Sequence, residues 1–97
     1  MIEPEQCETM TEVRAGVDAL DERIVALLAT RFRFMEAAAR IKPTRDKVRD
    51  EERKAAVLDH VRREAVAAGA PAEVIVGVYD ALVETSIAYE LTRFDAR

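Results

Sequence analysis

A chain of 97 residues suits one domain, and a monomer of that size buries only a modest core. Apolar residues make up 49 % and charged residues 35 %, a globular composition rather than a disordered or membrane-spanning one. The net charge of -4, one cysteine and one histidine argue against a basic nucleic-acid footprint, an internal disulfide and a cysteine- or histidine-rich metal cluster.

The N-terminal stretch "MIEPEQCETM" is acidic and lacks the basic-then-apolar layout of a signal peptide. No apolar run approaches a membrane span, so a soluble cytoplasmic protein is expected, with Cys7 an incidental thiol near a frayed end. The first helix is predicted from about Thr11 to Lys42, capped by Thr9 or Thr11 and stopped by Pro43. Glu12 places a negative charge in its first turn. Val13, Val17, Leu20, Ile24, Leu27 and Leu28, then Phe32, Met35, Ala38 and Ala39, recur at alternating spacings of three and four, a coiled-coil-like seam. Such a helix is about 48 Å long, too long for a lone globule of this size, so part of it is expected to pack on a second chain.

Residues 44–49, "TRDKVR", read as a basic loop. A second helix should start with Asp50 as N-cap and Glu51 and Glu52 in its first turn, bury Val57, Leu58, Val61 and Ala65, and stop at Gly69. The third helix should open with Pro71 at its first position. Its stripe is Ile75, Val78, Leu82 and Tyr89, with Val83, Ile87 and Phe94 alongside. The fold class is all-α: a three-helix chain with one long N-terminal helix.

Charged residues interrupt these stripes. At 100° per residue, Arg31 and Lys42 fall within about 20° of the azimuth of Ile24, central to the apolar face of the first helix. Arg33 and Arg40 fall on the solvated back. A buried ion pair or a snorkelling stem would explain one such cation. Two on one azimuth, about 16 Å apart along the axis, frame a gap for a small anion, because unpaired buried charge is costly. Arg14 lies about 25 Å from Arg31 on the same rod; it reads either as a surface arginine near the N-terminus or, in a two-fold dimer of antiparallel first helices, as a residue that reaches that gap from the other chain. In the second helix Asp50 and Lys54 share an azimuth with Val57, and Arg53 sits at the edge; an Asp50–Lys54 pair is the simple alternative. In the third, Ser86 and Glu90 face inward, four residues apart. Serine in a helix often bonds its own backbone, whereas a buried carboxylate needs a partner or a proton. His60 reads as a surface residue. The set offers no nucleophile–base pair, no metal set and no glycine-rich phosphate loop. It fits binding of a small dianion, with chemistry by positioning and electrostatics and no cofactor.

These residues resemble the all-helical chorismate mutase family, including its isochorismate pyruvate lyase branch. The resemblance rests on "VRAGVDALDERIVALLATR" (13–31), "RIK" (40–42), "VRDEER" (48–53) and "ETSIAYE" (84–90), in order and at matching spacing. It implies one chorismate mutase-like domain over residues 1–97 and an intertwined helical homodimer. Arg14 would be donated across the interface to a substrate carboxylate. Arg31 would bind the side-chain carboxylate, and Lys42 a carboxylate and the ether oxygen. Asp50 would lie by the ring hydroxyl, Arg53 by the ring carboxylate with Ser86 assisting, and Glu90 at the ether oxygen. Lys42, Glu90 and Arg31 would be catalytic, stabilising the negative charge that grows on that oxygen as the C–O bond breaks; a protonated Glu90 can donate to it. Two positions depart from the family pattern. Glutamine often stands where Glu90 is. Glutamate often stands where Lys54 is, and there it helps hold the ring hydroxyl; Lys54 can still donate a hydrogen bond to it, with added charge, and is expected among the substrate-binding residues.

The expected activity is conversion of chorismate to prephenate, with no nucleic-acid or membrane partner. The nearest rival is pyruvate release from isochorismate: "PEQC" and the compact loop after Lys42 look like the lyase branch, whereas Asp50 and Ser86 look like a mutase. A non-catalytic helical binding or regulatory dimer is a third reading. Against it, a pure scaffold would gain stability from apolar residues at 31, 42 and 53. On the same ground, losing the Lys42 charge is expected to leave stability unchanged or raised.

Overall fold

Residues 2–97 are described by a computed structural model. It consists of a 3-10 turn Pro4–Gln6, helix α1 Met10–Ile41, a 3-10 turn Arg45–Lys47, helix α2 Glu51–Ala67 and helix α3 Ala72–Asp95. The all-α, three-helix reading holds, with boundaries one residue off at the ends of α1. Its cap is Thr9, not Thr11. Thr9 Oγ1 accepts from Glu12 N at 3.2 Å, and Glu12 Oε1 accepts from Thr9 N at 3.1 Å, a reciprocal capping box. Hydrogen bonds from the Glu8 amide and the Thr9 side chain hold the Glu12 carboxyl below its ordinary range.

Two compact units divide the chain, Met1–Arg33 and Phe34–Arg97. In the first, the coiled-coil-like seam is open: Val13, Val17, Leu20, Ile24 and Leu27 are between 37 % and 70 % exposed. Ile2, Pro4 and Cys7 line a shallow apolar groove with Val13, Val17 and Leu20, and Cys7 is half-buried.

In the second unit α2 and α3 lie antiparallel, with Arg62 paired to Glu73 near the turn and Lys54 to Glu84 farther along. Gly69 makes the reversal possible. Its φ is +71°, a region L side chains rarely adopt, and Ala70 N donates to Ala65 O at 2.9 Å while Gly69 N donates to Val66 O at 3.1 Å. Pro71 is the N-cap of α3 and not its first helical residue, so the helix starts one residue later than foreseen: its extended ψ of 96° stands outside the helix while its carbonyl accepts from Ile75 N. The buried apolar residues are Ala39, Val48, Val61, Ala65 and Val83. On α3 the buried line runs through Val83, Ser86 and Glu90, whereas Val78 is 61 % exposed. Apolar side chains alone placed that stripe one strip away from its observed centre.

Candidate functional site

Pro43 cannot continue α1, so the helix ends at Ile41 and Lys42 sits just past it, its amide still donating to Ala38 O at 2.9 Å. The chain then tightens. Lys47 N and Val48 N close the 3-10 turn on Thr44 O and Arg45 O, and the Val48 side chain is buried. This turns the Val48 carbonyl toward Lys42, whose Nζ donates to it at 3.3 Å. The same ammonium donates to Glu90 Oε2 at 2.7 Å, and the Glu90 side chain is only 5 % exposed against 29 % for Lys42. Glu90, foreseen as an inward carboxyl needing a partner, therefore has Lys42 as that partner. Ser86 is buried one turn before it and donates to Leu82 O at 2.7 Å, so its one proton goes to its own backbone while its oxygen can still accept.

At the start of α2, Asp50 is the N-cap as expected: Oδ1 accepts from Arg53 N at 2.9 Å. Arg53 projects from the first turn, is exposed and makes no ion pair among the described residues. Lys54 does not pair with Asp50. Its Nζ lies 2.8 Å from both Asp80 Oδ1 and Glu84 Oε2 on α3. Asp80 lies about three turns of α3 before Glu90 and Glu84 under two, so Lys54 is drawn along α3 toward the reversal rather than toward Lys42. The hydrogen bonds it donates to Asp80 and then Glu84 push the pKa of the Lys54 ammonium up to about 12. In the first unit, Arg14 is exposed and Arg31 half-buried on α1. His60 is exposed, as foreseen.

Sequence reasoning missed the support around these groups. Arg49 forks onto Glu84, at 2.7 Å and 3.2 Å, and reaches Glu51 at 2.9 Å. Glu84 thus ties the loop before α2 and Lys54 within α2 to one point on α3. Hydrogen bonds from Arg49, then Lys54, hold its carboxyl down at about 2, against an ordinary 4.5. A depressed carboxyl contributes stability that is present above its ordinary value and lost as pH falls from 4.5 toward about 2. Glu84→Gln should therefore melt lower than wild type above pH 4.5 and converge with it at the acid end. Thermal melts from neutral to strongly acid buffer check this; a constant offset across the range would show that ionisation of Glu84 contributes nothing.

Lys42 and Arg53 supply cations, α2 supplies an N-terminus, and a buried carboxyl stands beside the lysine. Residues 13–91 match the chorismate mutase type II family, and the chain belongs to that family. It is similar to the isochorismate pyruvate lyase of Pseudomonas aeruginosa, at 30 % identity over 88 residues, covering 91 % of this chain and 87 % of the relative. The group the protein belongs to is thus that of the chorismate mutases and isochorismate pyruvate lyases. No helix of the chain is long and apolar enough, among the described residues, to cross a membrane.

Proposed function

We propose that the protein is a chorismate mutase, a cytoplasmic homodimer that rearranges chorismate to prephenate without a cofactor. The observation that carries this is the Lys42–Glu90 pair, a 2.7 Å contact with a nearly fully buried carboxyl, next to the α2 N-terminus. A lysine held there can donate to the ether oxygen as the C–O bond breaks, when negative charge collects on it. Arg31 and Arg53 bind the two carboxylates, Arg14 of the second chain completes the site, and Asp50 lies by the ring hydroxyl through the backbone at the α2 cap. The exposed seam on α1 supports the dimer, since a monomer would leave it in water. Lys54 is given no contact with substrate, because two carboxylates already hold its ammonium. Holding the compact conformer supplies the rest of the barrier reduction.

Release of pyruvate from isochorismate is the second reading, favoured by the 30 % identical lyase. One assay decides: incubation with chorismate, followed for prephenate, and with isochorismate, followed for salicylate and pyruvate. Prephenate alone supports the mutase; salicylate alone replaces it with the lyase. Tight dianion binding with neither product would make the protein a binding module.

Glu90 accepts from Lys42, whereas at an ether oxygen it must donate, which a carboxylate cannot do and a carboxamide can. Glu90→Gln keeps an acceptor for Lys42 and adds a donor. The variant should keep or exceed wild-type kcat/KM. A loss as large as that of Glu90→Ala would remove the donor role.

A further inference from the structure

We propose that Arg97 is a positioning residue for Lys42, and that the segment after α3 acts as a latch on the end of α1. This rests on the reading above that Lys42 acts on the substrate. Helix α1 ends with carbonyls that have no partner within the helix. One belongs to Ala39, a residue only 1 % exposed, where water cannot readily replace a lost hydrogen bond. Arg97 supplies it: one guanidinium nitrogen donates to Ala39 O at 3.2 Å and to Lys42 O at 2.6 Å. The guanidinium also lies over the Phe94 ring, 3.9 Å from its centroid, which fixes the arginine from below. Its positive charge stands at the negative end of α1. Two residues away, Asp95 takes a two-point grip on Arg45, at 2.9 Å and 3.3 Å, immediately after the Lys42-Pro43-Thr44 corner.

Lys42 is thus held at both ends. Its carbonyl is bound by Arg97, and its ammonium by Val48 O and Glu90. The two holds differ in what happens when a substrate arrives. An anion that engages the ammonium competes with Glu90 and Val48 for its protons. The hold on the carbonyl is untouched, so in the complex Arg97 is what fixes the base of a long, four-carbon side chain. Pro43 cannot donate a backbone hydrogen bond at this corner, and Lys42 itself lies beyond the last helical residue. Without the latch the lysine is attached to a fraying helix end. A donor misplaced by about 1 Å can cost about 10²-fold in rate.

The test uses Arg97→Ala and Arg97→Lys in the full chain, each alone and combined with Lys42→Met. Arg97→Ala should lower kcat by about ten- to a hundredfold with a smaller change in KM. Arg97→Lys, which can still donate to both carbonyls, should recover most of the loss. On the Lys42→Met background Arg97→Ala should cost no more than about twofold, because the residue it positions is gone. Equal losses on both backgrounds, or an Arg97→Ala enzyme within twofold of wild type, would overturn the proposal. A second measurement does not need turnover. Amide hydrogen exchange in Arg97→Ala should quicken at Lys42 and Val48 and stay unchanged at Val61 in the middle of α2. Unchanged exchange at Lys42 and Val48, or an equal increase at all three, would also overturn the latch. If wild type converts neither chorismate nor isochorismate, the functional reading fails, and the exchange measurement still decides whether the latch exists.

Discussion

Replacing Lys42 with methionine is expected to reduce kcat/KM by about 10²–10³, the scale of one lost transition-state donor. Methionine keeps the length and apolar stem and removes only the charge, so the loss reports on the ammonium. Stability should move as well, in a direction that the isolated lysine does not foretell. An unpaired buried cation would be a burden, and its removal would leave stability unchanged or higher. The structure gives Lys42 a partner, however. Lys42→Met leaves the Glu90 carboxyl almost fully buried without its 2.7 Å donor. Removing one member of a buried pair is destabilising, and the partial exposure of Lys42 scales the effect down to about 1–3 kcal/mol. The melting temperature should therefore fall for Lys42→Met and recover in Lys42→Met combined with Glu90→Leu, while activity stays lost in both. Full activity in Lys42→Met together with a lower melting temperature would make Lys42 a structural residue only.

Mixing two inactive chains should restore activity. In the proposed dimer each site takes Arg31 from one chain and Arg14 from the other. An Arg14→Ala chain and an Arg31→Ala chain are then both inactive as homodimers, because every site lacks one arginine. In the heterodimer one site lacks both and the other lacks neither. Random exchange at equal amounts makes half of all dimers mixed, so about a quarter of all sites become intact. The gain is from near background to about a quarter of wild-type kcat, read as prephenate formation before and after exchange. No recovery, with mixed dimers confirmed by mass spectrometry of differently tagged chains, would sink the shared site.

The helices were legible in the sequence because their punctuation is strong. Pro43, Asp50, Gly69 and Pro71 each end or begin an element for a local backbone reason, and each does so within one residue of the expected place. The inward charges on α3 were also legible, since Ser86 and Glu90 fall on one face by periodicity alone. The partners were not. That Glu90 faces Lys42 depends on how the end of α1 meets α3, and that Lys54 turns to Asp80 and Glu84 depends on how α2 meets α3; Lys42 and Glu90 are 48 positions apart, Lys54 and Glu84 30. Periodicity fixes an azimuth on one helix and says nothing of its register against another. Arg97 was invisible for a different reason: an arginine after a helix end reads as solvated, and only the end of a distant helix shows what it caps. Val48 was read as part of a basic loop because its neighbours are charged, yet its side chain is buried and its carbonyl carries the contact to Lys42.

The reversal at Gly69 has a kinetic consequence. Residues that meet across α2 and α3, such as Arg62 with Glu73, are close along the chain, so little loop-closure entropy opposes their encounter. Helical hairpins with such local contacts form on the microsecond-to-millisecond scale. The hairpin carries Asp50, Arg53, Ser86 and Glu90. Much of the proposed site can therefore take shape by a first-order process, at a rate that dilution does not change. In the proposed dimer, capture of a second chain by the α1 seam is second-order and slows as the protein is diluted. Refolding at low concentration should thus show helix early and catalysis late, with the interval between them lengthening in proportion to dilution.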